Sequence, residues 1–141
     1  MNRRTFFRWI GLGGLNSALL PILAACDFRR IAAKPRSDGF VAVGNISELD
    51  QSAGKLQVQV GDTQLIVVGN ASQSQTIVAL NPTCPHAGCN VKWEANQRQF
   101  VCPCHGSEFD SRGRVTQGPA AKDLVGYSVK VEGRSILVKL N

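Results

Sequence analysis

Cys84-Pro85-His86-Ala87-Gly88-Cys89 and Cys102-Pro103-Cys104-His105-Gly106-Ser107 are two short runs holding both histidines of this 141-residue chain and four of its five cysteines. Soft metal ligands this concentrated argue for an inorganic centre. Two Cys and two His match tetrahedral zinc by count. The usual zinc finger, however, pairs its cysteines and then its histidines, whereas here each run mixes the two types. A four-thiolate site has no use for the histidines. A binuclear [2Fe–2S] centre with two Cys on one iron and two His on the other fits the inventory better. Two plain disulfides would leave both histidines without a role.

The double motif C-x-H-x-G-C and C-x-C-H-G-S resembles the Rieske iron–sulfur family, in particular its disulfide-bearing branch found in cytochrome bc-type quinol oxidases. The resemblance implies one [2Fe–2S] cluster. It assigns Cys84 and Cys102 to the buried iron and His86 and His105 to the outer iron. It implies a disulfide between Cys89 and Cys104, which sit one per run at matching places, and a hydrogen bond from Ser107 to a bridging sulfide. Gly118-Pro119-Ala120 is similar to the family's proline loop, a third wall over the cluster. The resemblance covers residues 40–141 and implies an all-β protein: an antiparallel β-sandwich with a small cluster-binding subdomain, about 81–119, inserted in it.

Four positions depart from the quinol-oxidase pattern. Phe109 replaces a tyrosine whose hydroxyl reaches a ligand sulfur. Pro85 stands where the family commonly has Thr, and proline has no N–H to donate. Ala87 replaces a bulky Leu, and Ala121 replaces a second proline. Hydrogen bonds to sulfur stabilise the reduced cluster, so the first two changes push the potential down within the Rieske range. The last two weaken the case for a quinol docking surface.

The front of the chain reads as targeting sequence rather than fold. Asn2-Arg3-Arg4-Thr5-Phe6-Phe7-Arg8 resembles the twin-arginine export motif. An apolar run, Trp9–Ala25, is broken by glycines, Asn16 and Pro21, and ends at Leu23-Ala24-Ala25-Cys26, which resembles a lipobox with Cys26 as the lipidated residue. The alternative is an uncleaved membrane helix near the lower length limit for a span. Either way the domain is expected on the outer, periplasmic face of the plasma membrane, where a disulfide persists. Segment 27–39 reads as a linker. Its 13 residues would reach ~43–47 Å if fully extended.

Formal charge is +6, from 16 bases and 10 acids. The excess belongs to the front. Beyond the linker nine bases face eight acids, so the domain is nearly neutral. Nothing here points to nucleic acid.

Short β-branched runs separated by Gly, Asn, Asp and Ser predict strands at Phe40–Ile46, Leu56–Val60, Leu65–Val68, Thr76–Leu80 and Gln99–Val101. Leu124–Val131 and Ser135–Leu140 flank Glu132-Gly133-Arg134, a hairpin signal. No stretch shows a helical period of useful length. Trp93 and Tyr127 read as packed residues, and Glu108 and Asp110 as a solvated turn. Arg112 and Arg114 read as exposed hairpin charge.

The function implied is one-electron transfer, coupled to a proton through the second nitrogen of each imidazole. The expected partners are redox proteins such as a cytochrome or a copper protein, with quinol or a cytochrome b subunit in the bc-type alternative. Other readings are the small subunit of another exported oxidoreductase, such as arsenite oxidase, and a zinc-binding interaction module.

Overall fold

The structure, a computed structural model, describes residues 28–32 and 34–141. The twin-arginine stretch, the apolar run and Cys26 lie outside these residues. Two sheets organise what is described. The larger has seven strands in the order β1-β3-β4-β5-β10-β11-β2. These are β1 (Arg29–Ile31), β2 (Phe40–Asn45), β3 (Lys55–Val60), β4 (Thr63–Asn70), β5 (Gln73–Leu80), β10 (Gly126–Glu132) and β11 (Ser135–Lys139). The smaller holds β6 (Lys92–Glu94), β7 (Gln99–Val101), β8 (Glu108–Asp110) and β9 (Val115–Gln117) in sequential order.

Alternation makes the larger sheet one-sided. In β3 the residues Leu56, Val58 and Val60 are buried while their neighbours are half-exposed. They share one core with Val41 and Val43 of β2, Leu65 and Val67 of β4, and Ile136 and Val138 of β11. Strands from opposite ends of the sheet order thus meet around the same core. The sheet curls on itself into two facing layers, as the sandwich expectation requires. Tyr127 packs against this core, half-buried.

β4 departs from alternation, with Leu65 through Val68 all buried. Leu65 and Val67 face the sandwich core, while Ile66 and Val68 belong to a second cluster with Phe100, Phe109, Cys84 and Cys102. The small sheet therefore lies over the outer face of β4. Trp93 packs there against Phe100, ring centroids 4.7 Å apart. Asn90 adds a polar tie, donating to Oε1 of Gln64 at 3.0 Å.

Two features depart from the sequence reading. A six-residue helix α1 (Ile46–Gln51) follows β2 directly. Asn45 caps it: its side chain accepts from the Glu48 N–H, and Glu48 accepts from the Asn45 N–H. This is a capping box, and it seats Leu49 in the core with no exposed surface. The helix is too short to show a period, and only Asn45-x-x-Glu48 announced it. The second correction concerns the linker. Arg29–Ile31 forms a strand, and it pairs parallel with β3, the single parallel pairing among the described strands. Ile31 packs on the core. The Arg29 guanidinium donates to Glu48 at 2.9 and 3.4 Å and to the Val43 carbonyl at 3.3 Å. It thereby joins β1 to the opposite edge strand, β2. Three residues with one apolar side chain give no alternation to read.

Two later residues of this segment, Arg36 and Asp38, are also tied down. Arg36 donates to Glu132 at 2.7 Å, and Lys130 contacts Asp38 and Glu132, both at 2.8 Å. The Lys130 ammonium also lies 4.2 Å from the centroid of the Phe40 ring.

Candidate metal centre

Between β5 and β10 the chain leaves the sandwich, builds the small sheet and returns. Asn81, the first residue out, donates its N–H to the carbonyl of Val125, the last residue before β10. The two cysteine–histidine runs are loops of this excursion, and their backbones fold alike. In the first, Cys84 N–H donates to Cys89 C=O at 2.7 Å and Gly88 N–H donates to Cys84 C=O at 2.9 Å. In the second, Cys102 N–H donates to Ser107 C=O at 2.8 Å and Gly106 N–H donates to Cys102 C=O at 3.0 Å. Gly88 and Gly106 both adopt left-handed φ, 80° and 74°, which closes each loop without a Cβ penalty.

This equivalence aligns Cys84 with Cys102 and Pro85 with Pro103. It places Cys104 opposite His86, and Ser107 opposite Cys89. The two remaining cysteines therefore do not occupy matching places, which corrects the sequence reading. They are nonetheless joined: Cys89 and Cys104 form a disulfide with an S–S distance of 1.99 Å.

Burial divides the four candidate ligands. Cys84 and Cys102 are 1% and 2% exposed and carry free thiols. His86 and His105 are exposed, their ring centroids 4.8 Å apart and edge to face. Among the described residues no group of three or more His, Cys, Asp or Glu side chains is arranged to hold a single ion. The soft side chains instead form a buried thiol pair and an exposed imidazole pair, the two-and-two division that a binuclear cluster takes. Ser107 is fully buried, and its hydroxyl accepts from the Ala120 N–H at 2.9 Å. Among the described residues it donates to none, so its proton is available to an acceptor beside the thiols. A group with sulfur acceptors fits this donor set.

The proline loop closes the third side. Gly118–Pro119 is a cis peptide, and Ala120 is buried against the thiol cluster. Gln117 reaches from β9 to the Gly106 carbonyl at 3.4 Å. Sequence reading found neither Gln117 nor the Ala120 N–H, because no local pattern marks a contact between segments this far apart. Phe109 is fully buried and lies opposite Phe100 across β7 and β8. Asp110 ends β8 and organises the turn after it, accepting from the N–H groups of Arg112 and Arg114 and from the Arg114 side chain. The loop end carries no Asp, Glu, Lys or Arg in 81–91, 101–107 or 115–121.

The fold and the paired loops define a class of protein, a β-domain built to present a binuclear iron–sulfur cluster at one end. Comparison with known proteins names it. Residues 39–131 match the model of the Rieske [2Fe-2S] domain. The cytochrome b6-f complex iron-sulfur subunit of Prochlorococcus marinus (strain AS9601) is 38% identical over an alignment covering 99% of this chain and 85% of that protein. Among solved structures, the cyanobacterial plasma membrane Rieske protein PetC3 from Synechocystis PCC 6803 superposes with a TM-score of 0.63 at 44% identity, covering 71% of this chain and 99% of that one. The ferredoxin of carbazole 1,9a-dioxygenase from Nocardioides aromaticivorans IC177 gives 0.60 at 25% identity, covering 72% and 98%. The chain belongs to the Rieske [2Fe–2S] family, and a [2Fe–2S] cluster is its cofactor.

Proposed function

We propose that this chain is an exported, membrane-tethered one-electron carrier. Cys84 and Cys102 would hold the inner iron of its cluster, and His86 and His105 the outer iron. The cluster supplies a single reversible electron. The chain's own residues do the rest. The thiols lie in an apolar floor with Phe100, Phe109, Val91 and Leu124, which excludes water from that side. The imidazoles stand exposed, so they would bring the bound group within reach of solvent and of a partner. The Ser107 hydroxyl would be free to donate its proton to the bound group, and the disulfide holds the two loops together.

One observation carries the reading: a buried thiol pair and an exposed imidazole pair on two equivalent loops. The potential is expected below that of quinol-oxidising relatives, because Phe109 brings no hydroxyl and Pro85 no N–H. Export by the twin-arginine route and lipid attachment at Cys26 complete the proposal, on the motifs at residues 2–8 and 23–26. No described helix is long and apolar enough to cross a membrane, and the apolar run lies outside the described residues. A second reading, the iron–sulfur subunit of a bc-type quinol oxidoreductase, draws support from the b6-f subunit relative that aligns along nearly the whole chain. A cytochrome is the partner class common to both.

An EPR-monitored redox titration of the reduced holoprotein tests this. The expected result is the EPR signal of a reduced [2Fe–2S] cluster with mixed His/Cys ligation, with a midpoint in the lower part of the Rieske range. A midpoint at the top of the range selects the quinol-oxidising subunit. A zinc-loaded, EPR-silent protein rejects iron–sulfur chemistry for this site.

A further inference from the structure

The proline loop springs from β9, the edge strand of the small sheet, which pairs on one side only, with β8. The Asp110 N–H donates to the Arg114 C=O at 2.8 Å. In a planar trans peptide the N–H points opposite to the C=O, so the Val115 N–H points off the open edge. An edge N–H has no neighbouring strand to meet. Here Oδ1 of Asp123 accepts it at 2.8 Å, and a carboxylate acceptor makes this the stronger kind of hydrogen bond. One residue on, the Leu124 N–H donates to the Gly113 C=O at 2.8 Å. Leu124 is itself buried in the apolar cluster around the thiols. These two bonds close the proline loop at its base.

Within the closed segment two groups reach the second ligand loop. The Gln117 side chain donates to the Gly106 C=O at 3.4 Å, and the Ala120 N–H donates to the Ser107 hydroxyl at 2.9 Å. The first is long for a hydrogen bond, so the second is the firmer junction. A hydroxyl has one proton and two lone pairs, and its proton turns to suit its partners. The Ala120 N–H occupies one lone pair. That restricts where the proton can point, and it polarises the O–H for donation. Ser107 has no exposed surface, so bulk solvent does not compete to turn it.

We infer that Asp123 is a positioning residue for the cluster: by holding the base of the proline loop, it sets the Ala120 N–H against Ser107 and so aims the hydroxyl proton at the bound group. This rests on the proposed donation from Ser107. Asp123 acts in two opposed senses. Its negative charge disfavours an added electron, whereas its hold on the loop favours one through Ser107. Substitution separates the two. Asp123→Asn removes the charge and keeps an acceptor oxygen, whereas Asp123→Ala removes both. Asp123 is exposed, so neither change opens the core.

The test is a set of redox titrations on the full chain with its cluster. The two variants carry the same charge, so the difference between them isolates the acceptor. The midpoint of Asp123→Ala should lie below that of Asp123→Asn, by no more than Ser107→Ala lowers it on its own. In a Ser107→Ala background that difference should vanish, because no hydroxyl is left to aim. Hydrogen exchange, read by mass spectrometry on a peptide spanning residues 116–123, should quicken in Asp123→Ala and not in Asp123→Asn. Equal midpoints for the two variants, with Ser107→Ala still lowering the midpoint, overturn the inference and leave the serine's donation standing. So does a difference that persists without the hydroxyl, or exchange that Asp123→Ala does not quicken. A midpoint unmoved by Ser107→Ala overturns the donation and this inference with it.

Discussion

Ser107 and Phe109 lie two residues apart and affect the centre in opposite ways. Ser107 is a buried hydroxyl that accepts from Ala120. Removing it in Ser107→Ala leaves the Ala120 N–H without a partner in an apolar cluster, a cost of about 1–3 kcal/mol. Chemical denaturation should show that loss, and a redox titration should show a lower midpoint, since the proposed donor to the reduced centre is gone. Phe109 is a ring with no donor. Phe109→Tyr adds a hydroxyl to the floor beside the thiols and should raise the midpoint. An unchanged midpoint would mean that the new hydroxyl points away from the sulfur. Gly88 and Gly106 occupy equivalent places with the same left-handed backbone, and each has open space where a Cβ would stand. Gly88→Ala and Gly106→Ala should therefore cost similar amounts, about 1–2 kcal/mol each from the backbone alone. A large inequality in denaturation would contradict the equivalence of the loops.

At the scale of elements, function comes from where three loops meet. Two bring a thiol, an imidazole and one partner each of the disulfide, the second adds the serine, and the third brings a buried N–H. Their meeting surface is uncharged, so encounter there is not steered by local charge. Oxidation of the reduced protein by ferricyanide should consequently show a weak dependence on ionic strength. Ala87→Lys, on an exposed residue between His86 and Gly88, should accelerate that reaction and make the rate fall as salt rises, because the added charge is screened. Stopped-flow traces over a salt series decide it. β1 shows the other side of element-level reasoning. Read by composition it is a linker, yet its pairing and Arg29 make it part of the sheet. The reach of ~43–47 Å for 13 extended residues belongs to a state with that strand released.

Over the whole molecule, ion pairs tie distant segments together and make stability depend on pH. A hydrogen bond from Lys130, then one from the Phe40 N–H, holds the Asp38 carboxyl below its ordinary range. Lys130 and Arg36 do the same for Glu132. The Arg29 guanidinium holds Glu48 low against the opposing effect of burial. At Asp110 burial is the largest single influence and pushes upward, but the combined bonds from the Arg114 and Arg112 N–H groups and the Arg114 side chain keep it below the usual value. All four are depressed carboxylates. Their stabilisation is complete above the unfolded values of about 4 and is lost as pH falls from there through the lower folded values. Thermal melts should show a flat stability at neutral pH and a decline below about pH 4. Asp38→Asn should flatten part of that decline. Asp38 and Glu132 are well exposed, so salt should weaken their share.

The chemistry of this protein was legible in its sequence because it is local. Cys84-x-His86 and Cys102-x-x-His105 carry the ligand types and spacings within single loops, and the alternation of Leu56, Val58 and Val60 marks a one-sided strand. Asn45-x-x-Glu48 was equally local but too short to register as a helix. The tertiary structure alone decided what depends on segments far apart in the chain. It showed that the two loops are equivalent through Cys84 and Cys102 rather than through their spare cysteines. It showed that the Ala120 N–H meets the Ser107 hydroxyl and that Gln117 reaches the second loop, and that β4 is buried on both faces because a second sheet covers it. It also turned part of an expected leash, Arg29–Ile31, into an edge strand paired with β3. Spacing along the chain fixes which atoms a loop can offer, whereas pairing and register between strands fix what those atoms meet.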